Sequence, residues 1–140
     1  MTAFRRSDPA PVVLALAMLA QLALVRVAFR SDGQRVLLFG IPFGTDCAFR
    51  ARFGFPCPGC GLTRSITLSL YGHWGQAVSL NPAGLLAVVG LGVFAAGLLW
   101  YAIGRSAEVR KWLRTGSLWY IGIGSAVWLA WWVTRVATSL

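Results

Sequence analysis

Three long apolar runs dominate the pattern of hydrophobic and polar positions along this 140-residue chain. They cover residues 12–28, 82–103 and 118–136, and the run over 82–103 contains no charged residue. Because a helix rises about 1.5 Å per residue, about twenty apolar residues cross the roughly 30 Å hydrocarbon core of a bilayer. The pattern therefore predicts three transmembrane helices in a single membrane domain, residues 1–140.

The ends of the second and third runs have the residue types that mark helix starts and membrane boundaries. Asn81 precedes Pro82, which predicts an N-cap followed by proline at the first helical position. Aromatic residues are typical of the headgroup layer. They stand at the far end of the second run (Trp100, Tyr101) and at both ends of the third (Trp119, Tyr120 and Trp131, Trp132). The first run is interrupted by Gln21 and Arg26. A cleaved signal peptide is its alternative reading, but the cleavage-like Ala15-Leu16-Ala17 comes early in the run, so a retained helix is expected.

The segment between the first two runs has a different pattern of apolar and polar residues. Residues 36–44 are apolar but too short to cross, so we expect them to lie in the interface or to cover the helices. Residues 62–71 have the spacing of a short amphipathic helix. One face carries Leu62, Ile66 and Leu70, and the other carries Arg64, Thr67 and Tyr71. The predicted fold is an all-α membrane protein: three transmembrane helices plus a short interfacial or re-entrant helix, within residues 46–72, after a cysteine turn.

Composition and charge narrow the function classes. Hydrophobic residues make up 57% of the chain and charged residues 12%, which excludes intrinsic disorder. The four acidic residues are dispersed, so carboxylate-based hydrolase and kinase chemistry is not expected. The net charge of +9 comes from basic residues spread between apolar runs, which favours topology signals and anionic lipid over nucleic acid. Their density is highest between the second and third runs, which predicts an inner-membrane protein with a cytoplasmic N-terminus and an extracytoplasmic cysteine segment.

The three cysteines, Cys47, Cys57 and Cys60, lie within fourteen residues. The Cys57-Pro58-Gly59-Cys60 turn can direct two sulfurs at one centre, which suits a metal, a disulfide, a dithiol redox pair or a purely structural turn. Because Cys60 lies just before the predicted start of the amphipathic helix and Arg64 follows about one turn later, we expect lowered pKa values for Cys57 and Cys60.

A zinc site of the Cys3His type would use Cys47, Cys57, Cys60 and His73, although His73 is also explained as an interfacial residue. The leading functional hypothesis is a non-catalytic membrane protein with a metal- or disulfide-stapled cysteine loop that receives a partner or ligand. The alternative is a membrane thiol-disulfide oxidoreductase that uses Cys57 and Cys60. Arg64 is expected to bind lipid phosphate or to pair with Asp46.

A stripe of small residues in the third run, Gly122, Ala126 and Ala130, predicts close packing against another helix of this chain, a second copy or a membrane partner.

The string Cys57-Pro58-Gly59-Cys60-Gly61-Leu62-Thr63-Arg64, followed by Gly72 and by Asn81-Pro82 opening an apolar helix, resembles a bacterial membrane family catalogued as domain of unknown function 2752. The likeness covers about residues 46–99. It implies a small multi-span membrane protein and has no established activity to carry over. The matching positions are implied as the family's functional or structural centre: Cys57, Pro58, Gly59, Cys60, Gly61, Thr63, Arg64, Asn81 and Pro82.

Overall fold

A computed structural model describes residues 9–31, 35–43, 47–104 and 107–138. The helices are α1 (Ala10–Ala28), α2 (Ala48–Phe53), α3 (Leu62–Leu70), α4 (Trp74–Leu80), α5 (Pro82–Gly104) and α6 (Ala107–Ala137). The strands are β1 (Phe29–Ser31), β2 (Val36–Leu38) and β3 (Ile41–Phe43). The described chain is thus mostly helical, with one small sheet.

Helix α5 is the central one of the three long helices and contacts both α1 and α6. Their shared buried cluster joins Ala15 near the start of α1, Ala95 and Leu98 in the second half of α5, and Leu113 near the start of α6. Each neighbouring pair of long helices is therefore antiparallel. The start of α1, the end of α5 and the start of α6 lie at one end of the bundle, and the cysteine segment lies at the other.

Two helices of the described chain, α1 and α5, are long and apolar enough to cross a membrane. Only 6% of the most apolar stretch of α1 and 17% of that of α5 are buried within the protein. A core helix of a soluble protein would be mostly buried, whereas here large apolar side chains such as Leu24 and Val27 point outward. This exposed apolar surface is consistent with a lipid environment.

The predicted third span, α6, is not confirmed as a membrane-crossing helix. Its first turns are charged, and the run over residues 118–136 contains five aromatic residues with polar N–H or O–H groups, which makes it less hydrophobic than α1 and α5. The small-residue stripe is exposed, and a Cβ added at Gly122 would meet no atom within 4 Å. No helix of the described chain therefore packs closely against that glycine.

The all-α prediction was wrong for the segment after α1, where β1, β2 and β3 form an antiparallel sheet in that order. The apolar segment predicted to lie in the interface forms most of it. Phe39 and Gly40 connect β2 to β3 with φ of 50° and 87°, as a two-residue hairpin turn requires. The sequence did not predict the hairpin because phenylalanine rarely adopts the left-handed backbone conformation that Phe39 has. The turn leaves Phe39 and Ile41 largely exposed.

The short helix predicted over residues 62–71 is α3 (Leu62–Leu70), and the face that it buries is mostly polar. The buried residues of α3 are Ser65, Thr67, Leu68 and Ser69. Small side chains let α5 approach closely, and each of the three hydroxyls donates to a backbone carbonyl. Ser65 Oγ donates to Asn81 (2.6 Å), Thr67 Oγ1 to Thr63 (2.9 Å) and Ser69 Oγ to Ser65 (2.7 Å). Buried hydroxyls with partners cost little, so close packing outweighs hydropathy here.

Arg26 joins α1 to the end of α3. Its Nη1 donates to the Leu70 carbonyl, and its guanidinium lies 4.8 Å from the centroid of the Tyr71 ring. The Tyr71 hydroxyl in turn donates to the Arg26 carbonyl at 2.8 Å. The arginine that interrupts the first apolar run therefore satisfies an otherwise free carbonyl at the end of a helix.

Close contact between α3 and α5 depends on Gly84. A Cβ added there would lie 2.4 Å from Ser65 Oγ and 2.8 Å from the Ile66 backbone nitrogen. We expect Gly84→Ala to lower the free energy of unfolding by about 1–3 kcal/mol, measured by thermal or denaturant unfolding in detergent. The matched control is Gly92→Ala, because a Cβ at Gly92 meets nothing within 4 Å and alanine favours the helix. Equal stability of the two variants would contradict the predicted steric conflict.

Candidate metal centre

Three sulfur atoms converge at the cysteine end of the bundle. Cys57 Sγ lies between the other two, 3.3 Å from Cys47 Sγ and 3.0 Å from Cys60 Sγ. All three sulfurs lie within 4.8 Å of one another, and each cysteine is partly buried. Cys47 comes from the residue before α2, whereas Cys57 and Cys60 come from the turn before α3. Two segments that are ten residues apart thus supply one cluster of thiols.

The turn that carries Cys57 and Cys60 has a defined backbone. The Cys60 N–H donates to the Cys57 carbonyl and the Leu62 N–H to the Gly59 carbonyl, both at 3.0 Å. Gly61 has φ of 80°, and a Cβ there would lie 3.3 Å from the Leu80 carbonyl oxygen, so glycine is needed for both conformation and space. Gly59 is exposed and has open space around it. The two motif glycines therefore differ in how strongly the fold requires them.

Asn81 links this turn to α5. It is fully buried (0% exposed). Its Nδ2 donates to the carbonyls of Pro58 (3.1 Å) and Cys60 (3.3 Å). Its Oδ1 accepts from the Ala83 N–H at 3.1 Å, so the predicted N-cap is confirmed. One amide therefore caps α5 and holds the backbone of the cysteine turn, which explains physically why the turn and the Asn81-Pro82 pair belong to one structural unit.

Two tryptophans of α6 hold the same loop from the other side. Trp128 Nε1 donates to the Pro58 carbonyl at 3.1 Å, and Trp132 Nε1 donates to the Pro56 carbonyl at 3.0 Å. Arg135, one turn further, donates to the Leu80 carbonyl at 2.7 Å and lies over the Trp131 ring. The sequence predicted a boundary role for Trp131 and Trp132 and no role for Trp128. The i, i+4 spacing that places Trp128 and Trp132 on one helix face was the available signal.

The thiols differ in acidity. Backbone hydrogen bonding from Arg50, followed by hydrogen bonds from the Cys60 and Cys57 side chains, lowers the pKa of Cys47 to about 7. Burial, followed by hydrogen bonds to the other two cysteines, raises the pKa of Cys60 to about 12. The predicted lowering of the Cys60 pKa was therefore wrong. Gly61, not Cys60, is the N-cap of α3, and burial favours the neutral form of the Cys60 thiol.

This difference predicts a pH profile for alkylation of the metal-free, reduced protein. A thiol with a lowered pKa is increasingly deprotonated, and hence reactive, as the pH rises through that value. We expect the fastest-reacting site to be Cys47, with a rate that rises with a midpoint near pH 7 and is lost in Cys47→Ser. Mass mapping of the labelled cysteine gives the measurement. A midpoint near 9 for Cys47, as in an ordinary thiol, would contradict the prediction.

His73 and Arg64 occupy different positions relative to the three sulfur atoms. His73 is not in the group of converging ligands found among the described residues. It lies beyond the far end of α3, a helix of nine residues that spans about 14 Å, and it is exposed at the start of α4. Arg64 is half-buried in the first turn of α3. Its expected partner Asp46 lies outside the described residues.

Residues 47–95 match the family described as "Protein of unknown function (DUF2752)", which confirms the resemblance drawn from the motif. The matched region begins at Cys47 and so contains all three cysteines, α3, α4 and the first half of α5. No curated protein matches the chain, and no solved structure matches it.

Proposed function

We propose, from the premise that residues 47–95 are the segment shared with the DUF2752 family, that this is a non-catalytic integral membrane protein that binds a thiophilic metal ion, zinc in the first instance. Cys47, Cys57 and Cys60 are the proposed ligands. The observation that carries the proposal is the convergence of three sulfurs within 4.8 Å. Zinc binds cysteine sulfur at about 2.3 Å, which places sulfurs around one tetrahedral ion roughly 3.8 Å apart.

Three protein ligands leave one position of a tetrahedral ion for an external donor, such as water or a partner's thiolate or imidazole. We infer that the site receives its partner or ligand there. Cys47 is exposed enough to be partly accessible, which supports access from outside. His73 would reach the same ion only if α3 and α4 moved, so an external donor is the preferred fourth ligand.

The surrounding hydrogen bonds support a preorganised site. Asn81, Trp128 and Trp132 hold the carbonyls of the cysteine turn, which fixes the backbone that presents Cys57 and Cys60. Metal sites depend on such outer contacts to orient their ligands.

The proposed setting is a multi-pass protein of the inner membrane in which α6 is the third span. Antiparallel packing supports a cysteine segment on the side opposite the N-terminus and the basic first turns of α6. The outward-facing stripe of Gly122, Ala126 and Ala130 is available for a membrane partner or self-association. Labelling of intact cells with an impermeant thiol reagent is expected to modify the cysteines if they are extracytoplasmic. Labelling only after lysis would reverse the proposed orientation.

The second candidate is thiol-disulfide exchange, favoured by the 3.0 Å separation of the Cys57 and Cys60 sulfurs. In that reaction the two thiols form a disulfide, and the two electrons and two protons pass to a substrate disulfide, which becomes a dithiol. The low pKa of Cys47 supplies a thiolate beside the pair.

Metal analysis of the purified, full-length protein separates the candidates. Stoichiometric zinc, and a sulfur-to-cobalt charge-transfer band after Co²⁺ substitution, are expected for the metal site. A mixed disulfide with another protein, trapped in Cys57→Ser or Cys60→Ser, would favour exchange instead. Absence of both results would leave the cysteines as a structural turn and overturn the proposal.

A further inference from the structure

An open apolar groove of about 460 Å³ lies between residues 87–94 of α5 and residues 112–121 in the first half of α6. Its walls include Met18, Gly90, Phe94, Leu113, Gly116 and Tyr120. Gly116 leaves part of the space, since the nearest atoms to a Cβ added there would be those of the Trp112 ring, at 3.7–3.9 Å. The groove is separate from the cysteine cluster, and the proposed metal site does not use it.

The two hydroxyl groups of the groove are already engaged. The Ser117 hydroxyl donates to the Arg114 carbonyl at 3.2 Å, and the Tyr120 hydroxyl donates to the Leu86 carbonyl. A polar small molecule would therefore find few unpaired groups to orient it. An alkyl chain needs none, so the groove favours a purely apolar occupant.

Positive charge lies at the entrance of the groove. The first turns of α6 carry exposed Arg110, Lys111 and Arg114 against one exposed acidic residue, Glu108. Arg110 lies three positions before Leu113 and seven before Ser117, both of which line the groove. Arg114 lies three positions before Ser117 and seven before Ile121, which also line it. Residues at these spacings share a helix face. Both arginines are therefore on the side of α6 that borders the groove.

On α6 the groove extends from Trp112 to Ile121, a helical rise of about 14 Å. It therefore begins before the third apolar run, residues 118–136, and continues into it. Trp112 is 53% exposed beside the basic residues, at the level where an aromatic belt meets headgroups.

We propose that this groove binds an acyl chain of an anionic phospholipid, with Arg110 and Arg114 holding the phosphate. The inference rests on the proposed insertion of α6 in the membrane. A second copy of the chain is the less suitable occupant, because pairing these faces would bring the like charges of Arg110 and Arg114 together. An anionic lipid instead matches both the apolar lining and the charge at its entrance.

Native mass spectrometry of the full-length protein in detergent, titrated with dioleoylphosphatidylglycerol or dioleoylphosphatidylcholine, tests the proposal. We expect the anionic lipid to bind at least about tenfold more tightly. In the double variant Arg110→Gln/Arg114→Gln its binding should weaken about thirtyfold, which corresponds to about 1 kcal/mol for each arginine. The control removes two exposed arginines of α2 at the other end, Arg50→Gln/Arg52→Gln, and should leave binding unchanged.

A second pair of variants tests the groove itself. Gly116→Leu fills the space and is expected to weaken binding of the anionic lipid at least about tenfold, whereas Gly122→Leu on an open face of the same helix should not. Equal binding of both lipids, or equal effects of matched and control variants, would overturn the proposal. The proposal would also be overturned if the protein formed a dimer that dissociates in the Gly116→Leu variant. Zinc content measured in the same samples distinguishes failure of the lipid-binding proposal from failure of the metal-site proposal.

Discussion

Cys57→Ser is expected to abolish stoichiometric metal binding by the purified protein. Cys57 supplies the central sulfur, which contacts both other sulfurs, so its loss leaves two ligands that come from different segments. Substitution of residues that hydrogen-bond to metal ligands typically weakens metal affinity 10–100-fold. Loss of a ligand itself is expected to weaken metal affinity more than about a hundredfold. Competition with a chromophoric chelator measures the affinity, and the Co²⁺ spectrum reports loss of thiolate ligation.

Two control variants sharpen this prediction. Gly59→Ser alters the same turn at an exposed position with open space, so it should retain the metal. His73→Ala should also retain it, because the nine-residue length of α3 separates His73 from the sulfurs. Unchanged affinity in Cys57→Ser would contradict the metal proposal. Loss of metal in His73→Ala would instead establish histidine as the fourth ligand and require movement of α4.

Asn81→Asp is expected to destabilise the protein by about 3–5 kcal/mol. The carboxylate keeps an oxygen for the Ala83 N–H but loses both N–H donors to the Pro58 and Cys60 carbonyls. It also places a charge at a fully buried position opposite two carbonyl oxygens. Leaving buried acceptors unpaired costs about 1–3 kcal/mol, and an uncompensated buried charge costs more. Thermal unfolding in detergent, with and without metal, measures the effect.

The matched control is Gln76→Glu, the same amide-to-acid change at an exposed position of α4. It should change the free energy of unfolding by less than about 0.5 kcal/mol. Because Asn81 holds the backbone of the cysteine turn, Asn81→Asp should also weaken metal binding 10–100-fold. Equal stability of the two variants would show that Asn81 is not the link between turn and helix that its hydrogen bonds describe.

Local chemistry made several elements predictable. Asn81-Pro82 predicts where α5 starts, because capping and proline's fixed φ act within a few residues. The position of α3 after the cysteine turn was predictable from the helical spacing of its apolar residues. The motif also predicted the match of residues 47–95 to the DUF2752 family model, since its residues lie close together in the chain.

Other elements depended on contacts between distant segments. The hydroxyl face of α3 is buried because α5 presents Gly84 to Ser65, a contact that hydropathy along α3 cannot reveal. The roles of Trp128 and Trp132 depend on carbonyls about seventy residues earlier. The hairpin turns at Phe39, a residue without turn propensity.

The amino-acid sequence alone determined the long apolar helices and the cysteine turn at the start of α3, because hydrophobic length, capping and turn formation are short-range effects. Only the tertiary structure decided that Cys47 joins Cys57 and Cys60 while His73 does not, and that Cys47 rather than Cys60 is the acidic thiol. Distances between sulfurs, and the burial and hydrogen bonds that set their pKa values, depend on how α2, α3 and α6 meet. That meeting depends on packing between segments that are far apart in the chain.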